Sequence, residues 1–212
     1  MISSRFIRSL GVIAFTALAF ISQKDLRAQA LWSQMNGTAR TDGGKVAGIS
    51  LNSYGQTIYA LGFYDSGDGL ATSYTLGLWD SSQNLLATAL VTPSSPLIGD
   101  FRYANITPVT IGTFANPQAF TIGALLPASM QDTWLDNCIQ TLGAGFAGAG
   151  TGQYLSSPSL VFPSTFDTGN SYYVVNAGTQ AVPEPAPAGL VIVACSLMLM
   201  RRNRRPCLVT VR

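Results

Sequence analysis

Between residues 46 and 126 the chain carries short runs rich in apolar and strand-forming residues, broken at intervals by turn residues. Thr57 to Tyr64 reads as a strand that stops at Asp65-Ser66-Gly67-Asp68-Gly69. From Ser73 to Trp79 the side chains alternate, with Tyr74, Leu76 and Leu78 on one face and Thr75, Gly77 and Trp79 on the other. Asp80 to Asn84 is a turn, and Leu85 to Val91 returns as the second arm of a β-hairpin. Further strands are predicted at Val46–Leu51, Phe101–Ile106, Ala119–Leu126 and Ser171–Val175. No stretch of the body carries the 3.6-residue period of an amphipathic helix. The prediction is an all-β body over residues 31–176, an antiparallel β-sandwich of jelly-roll or Ig-like type. Leu142 to Gly152 holds five glycines and is expected to be a flexible loop. It lacks the Lys-Ser/Thr pair of a nucleotide-binding loop.

Two apolar runs at the ends do not share this pattern. Arg5 and Arg8 precede an apolar stretch from Leu10 to Ile21, and Ala28-Gln29-Ala30 has the small-x-small form of a signal-peptidase site. Residues 1–30 are therefore expected to be a signal peptide handled by the Sec machinery and signal peptidase, with the mature chain starting at Leu31. At the other end, residues 177–187 form a linker containing Pro183-Glu184-Pro185, and an apolar segment follows over 188–200. As a helix this segment would span about 20 Å, against a hydrocarbon core of about 30 Å, so it is a short anchor. Arg201, Arg202, Arg204 and Arg205 open a basic tail over 201–212, which places that tail in the cytoplasm and the body outside. Each proline fixes φ and lacks an N–H, so the Pro-Glu-Pro stretch is extended and cannot join the following helix. Glu184 is the only glutamate of the chain.

Val182-Pro183-Glu184-Pro185, the apolar segment and the arginine cluster, together with a signal peptide, resemble the PEP-CTERM sorting signal of Gram-negative bacteria. The resemblance covers Val182 to Arg205. It implies processing by an exosortase, a membrane cysteine protease, transient residence in the inner membrane and an association with exopolysaccharide. The chain departs from that pattern in continuing through Pro206 to Arg212 and in adding Ala186-Pro187. Within the body, Leu61-Gly62-Phe63-Tyr64-Asp65, Gly67-Asp68-Gly69-Leu70, Leu76-Gly77-Leu78-Trp79-Asp80, Asn84-Leu85-Leu86-Ala87 and Phe101-Arg102-Tyr103 resemble a β-sandwich domain of unknown function in bacterial surface proteins. That second resemblance spans Val46 to Asp136 and implies a fold without an assigned reaction.

Charge changes the picture once the ends are set aside. The whole chain has a formal charge of +2. Between Leu31 and Ala181 three cations (Arg40, Lys45, Arg102) face eight aspartates (42, 65, 68, 80, 100, 132, 136, 167), a net −5. An acidic body is a poor partner for nucleic acid. Histidine is absent, which removes His-dependent nucleophile systems and His-based zinc sites. The body is thus expected to be non-catalytic, with an Asp-based hydrolase as a distant alternative. Cys138 is the sole cysteine of the body, so no internal disulfide can form there.

Two ligand classes remain as alternatives to a structural or adhesive role. Asp65, Asp68 and Asp80 sit in oxygen-rich turns that could meet at one end of a sandwich and hold Ca²⁺, although Asp and Gly are also what tight turns use. Trp32, Trp79 and Trp134 could stack on sugar rings of an extracellular polysaccharide, although aromatic residues of a sandwich commonly fill its core. The favoured expectation is an exported protein of the cell surface or extracellular matrix of a Gram-negative bacterium, associated with exopolysaccharide or biofilm.

Overall fold

A computed structural model describes residues 30–34, 37–138, 140–148, 151–169 and 171–183. The expected signal peptide up to residue 29 lies outside the described residues, as do Glu184, Pro185, the expected anchor over 188–200 and the arginines at 201, 202, 204 and 205. The chain divides between Val182 and Pro183, the point at which the Pro-Glu-Pro motif begins.

The described residues form strands and no helix. In chain order the strands are β1 (Trp32–Gln34), β2 (Thr38–Arg40), β3 (Lys45–Ser53), β4 (Gln56–Tyr64), β5 (Tyr74–Asp80), β6 (Leu85–Val91), β7 (Leu97–Ile98) and β8 (Phe101–Ile111). They continue as β9 (Gln118–Leu126), β10 (Trp134–Asp136), β11 (Gln140–Leu142), β12 (Phe146–Ala147), β13 (Gly152–Ser156), β14 (Thr165–Asp167), β15 (Tyr172–Tyr173) and β16 (Val175–Gly178). A seven-stranded sheet runs β14-β13-β3-β9-β5-β6, with β12 also paired to β3, and a four-stranded sheet runs β16-β4-β8-β7. Two small sheets, β15-β10-β2 and β1-β11, complete the set. The pairings between these strands are antiparallel.

The two larger sheets face each other across one apolar core, an arrangement consistent with a β-sandwich. Ala47, Ile49 and Leu51 of β3, Tyr74, Leu76 and Leu78 of β5, and Phe120, Ile122, Ala124 and Leu126 of β9 point into it, as period-two alternation requires. Leu61 and Phe63 of β4 come from the opposite sheet. The rings of Phe63 and Tyr74 stack across the interface at 3.7 Å and 5°. Burying a side chain of this size is worth about 1.5–3 kcal/mol, so the central strands carry most of the driving force.

Behind the seven-stranded sheet, the pairings Gly48↔Gly123 and Gly77↔Gly123 align three glycines across β3, β9 and β5. This row is a shallow trench, and the Trp79 indole lies along it, in contact with the positions where Gly77 and Gly123 would carry a Cβ. Phe162, between β13 and β14, meets the indole edge-on at 6.1 Å and 84°.

Several boundaries differ from the sequence-based expectation. β8 runs five residues beyond Ile106, to Ile111. The glycine-rich stretch contains a strand, β12, held to Ser53 and Asn52 of β3. Gly145 and Gly148, at φ of 83° and 128°, turn the chain into and out of it. The folded body also extends past residue 176. Ala177 and Gly178 pair with Leu61 and Ala60, and Val182 is buried, so much of the expected linker belongs to the fold.

Candidate functional site

The residues at the two expected processing boundaries lie at the two ends of one cross-strand row. β16 pairs with β4 so that Gly178 faces Ala60, and Ala60 faces Asn105 of β8 on its other side. Gly178 is also bridged to Ala30. Ala30, Gly178, Ala60 and Asn105 therefore form one cross-strand row. Three strand spacings make it about 14 Å long. Leu31, the expected first mature residue, is fully buried. Its N–H donates to the Ala177 carbonyl at 2.8 Å, and its carbonyl accepts from Gly143 N–H at 2.7 Å. One residue on, the Asn176 side-chain amide donates to the Trp32 carbonyl at 2.9 Å. Ala28, the other residue of the cleavage pattern, lies outside the described residues.

The far end of the row holds the exit. Asn105 Nδ2 donates to the Val182 carbonyl at 2.9 Å, and Val182 N–H donates to Asn105 Oδ1 at 2.8 Å. One side-chain amide thus satisfies both backbone polar groups of the residue before Pro183, as a neighbouring strand would. Val182 joins the buried apolar cluster, whereas Pro183 is exposed. Asn105 sits where the β4–β8 register breaks. The pairing jumps from Ala60↔Asn105 to Ile58↔Val109, so Tyr59 spans Ile106, Thr107 and Pro108. An irregularity of this kind re-aims side chains beside it. Sequence reading did not single out Asn105. The usable signals were an asparagine inside a strand and a proline three residues later, both unfavourable in a regular ladder.

The aspartates proposed for calcium do not converge. Asp65 is buried at the end of β4, and its Oδ1 accepts the N–H groups of Gly67 and Gly69 at 3.0 and 2.9 Å. Its Oδ2 is ion-paired with Arg102, whose other nitrogen Nη1 donates to the Ser95 carbonyl at 2.8 Å. Asp68 accepts a hydrogen bond from the Ser66 hydroxyl at 2.5 Å. Asp80 ends β5 at the opposite extremity from Tyr74, about 20 Å along the strand. It caps its own turn through Ser82 and Asn84 N–H, and the Asn84 side-chain amide is the leading cause of its depressed pKa. The carboxylate the structure brings near Asp65 and Asp68 is Asp132, around a cavity of about 80 Å³. Its oxygens accept from Ala71 N–H at 2.7 Å and the Tyr74 hydroxyl at 2.5 Å. Among the described residues no cluster of three acidic, Cys or His side chains has metal-binding geometry.

The tryptophans also lie inside the fold. Trp32, Trp79 and Trp134 are 1%, 3% and 0% exposed, so none offers a ring face to a sugar from outside. Trp32 meets Tyr173 edge-on at 5.7 Å. Trp134 meets Tyr172 edge-on at 5.2 Å and lies under two cations, the Arg40 guanidinium at 4.9 Å and the Lys45 ammonium at 5.3 Å. Arg40 is bonded to Asp42 through two nitrogens, at 2.7 and 2.8 Å, and to Asp136 at 3.0 Å; Lys45 also pairs with Asp42. The Asp42 hydrogen bond is the leading cause of the raised Arg40 pKa. Cys138 is a buried free thiol, and burial with the Asp136 charge pushes its pKa up to about 11.

A separate groove of about 710 Å³ is lined by hydroxyl and aliphatic groups, including Thr72, Ser73, Thr75, Leu125, Ser156 and Pro158, with no charged side chain.

No protein-family model, curated protein or solved structure matches the chain.

Proposed function

We propose that the chain is an exported, non-catalytic protein of the cell surface or extracellular matrix of a Gram-negative bacterium, delivered by a PEP-CTERM signal. Its body is a β-sandwich of the jelly-roll or Ig-like class, with a structural or adhesive role in an exopolysaccharide-rich setting. The observation that carries the reading is the cross-strand row Ala30–Gly178–Ala60–Asn105. It sets the residue before the expected signal-peptidase cut and the strand that holds Val182 within about 14 Å of each other. A body with both its boundaries at one place suits a chain whose two ends are both addressed to the same membrane. The absence of histidine, and the engagement of Asp65 and Asp132 by N–H, guanidinium and hydroxyl donors, support a non-catalytic body. Intact-mass analysis of the surface form tests the reading. The expected species starts at Leu31 and ends within the Pro-Glu-Pro region; a surface form that retains Arg212 overturns it.

A second reading is favoured by the uncharged, hydroxyl-lined groove. Its size lies within the range of small-molecule sites, and its chemistry suits a neutral polysaccharide segment. A glycan array tests it: binding that survives Thr75→Arg excludes this groove.

A further inference from the structure

We propose that Asn105 is the positioning residue that fixes where the folded body ends and where the peptide handle for a processing enzyme begins. The enzyme's role rests on the sorting reading above; the clasp itself does not.

Asn105 occupies both backbone groups of Val182, with bonds of 2.8 and 2.9 Å. An enzyme that binds an extended peptide by strand addition needs those groups free. At Val182 they are taken, and the side chain is 5% exposed. Pro183 has no N–H, so the strand-like pairing cannot propagate past Val182. Two different devices thus stop the fold at the same peptide bond, one from the body and one from the motif. Asn105 and Val182 are 77 residues apart in sequence. The clasp therefore forms only when β8 has docked on β4, and the origin of the handle is defined by folding. A chain with an undocked β8 offers Thr179 to Val182 to the enzyme as well.

The test uses the full-length chain with Asn105→Ala, Asn105→Asp and Val182→Ala. Two quantities are read: the C-terminal residue of the released body by intact mass, and hydrogen exchange of the Val182 amide in the detergent-solubilised protein. The wild type is expected to give one C-terminus, at or beyond residue 183. Asn105→Ala is expected to give ragged ends reaching into residues 179–182, with Val182 amide exchange faster by about tenfold or more. Asn105→Asp keeps the acceptor for Val182 N–H and loses the donor to its carbonyl, so its exchange falls between the two. It also carries the test should the alanine variant fail to fold. Val182→Ala removes buried methyl groups and leaves both backbone bonds in place. It is expected to lower the melting temperature while keeping the wild-type C-terminus.

Wild-type ends and wild-type exchange in Asn105→Ala overturn the proposal. Ends equally ragged in Val182→Ala overturn it too, because packing rather than the clasp then sets the boundary. An intact Arg212 on every wild-type form removes the processing role. The exchange arm then decides the clasp alone, and unchanged exchange in both Asn105 variants overturns it.

Discussion

The indole of Trp79 lies on Gly77, two residues earlier on the same strand, and a Cβ at Gly77 would run into the ring. That contact explains how a residue pointing away from the core is 3% exposed. Gly77→Ala is expected to destabilise the protein by about 1–3 kcal/mol, the usual range for overpacking. Trp79→Ala empties the trench and is expected to cost about 3–5 kcal/mol. Urea unfolding measures both, and a neutral Gly77→Ala would place the indole elsewhere.

Arg102 neutralises a carboxylate with no solvent exposure, that of Asp65. Arg102→Met leaves that charge buried and uncompensated, and is expected to cost about 3–5 kcal/mol. Asp65→Asn added to Arg102→Met is expected to restore part of the loss, since the amide needs no counter-ion. A double-mutant cycle reads the coupling directly, and additive losses would show that the pair acts as two independent residues.

Asp42 has a folded pKa of about 2, against an ordinary 3.8. Partial burial acts upward on it, and hydrogen bonds from Arg40 and then Lys45 outweigh that effect. A depressed carboxylate stabilises the fold above its unfolded pKa, and the contribution is lost as pH falls from about 4 to 2. The side chain is 45% exposed, so the effect is discounted to about 0.5–1 kcal/mol. Asp42→Asn is expected to flatten that part of the stability–pH curve and leave its shape above pH 5 unchanged. Equal slopes for the two proteins between pH 4 and 2 would contradict this.

Calcium at millimolar concentration is expected to leave the melting midpoint unchanged. A cation near Asp65 would have to displace two backbone N–H donors and approach the Arg102 guanidinium, while Asp80 lies at the other end of β5. A rise of several degrees would show that these turns rearrange around the ion.

The long strands were legible in the sequence because apolar, strand-forming runs and the turns that bound them are local signals. Thr57 to Tyr64 and Leu85 to Val91 each sit within one residue of the observed strand. The short strands β1, β2, β10 and β14 were not, since three residues carry no period and their pairing comes from tertiary partners. The environment of Trp79 was illegible for a related reason. The trench it fills needs Gly48, Gly77 and Gly123 brought into one row by strands far apart in the chain. The aspartate turns were recognised as turns, but which end of a strand each occupies depends on topology. Asn105 and Val182 meet only through a register break that no spacing rule encodes.

The row from Ala30 to Asn105 makes the body a pendant rather than a spacer. The chain comes in and leaves at points about 14 Å apart, so some 150 residues hang beside its path and add almost no reach to it. A short linker of about four or more residues between those points, with a new opening at the exposed Ser81–Asn84 turn, would preserve every strand pairing described. Such a permuted chain would fold to the same body with its termini at the turn between β5 and β6.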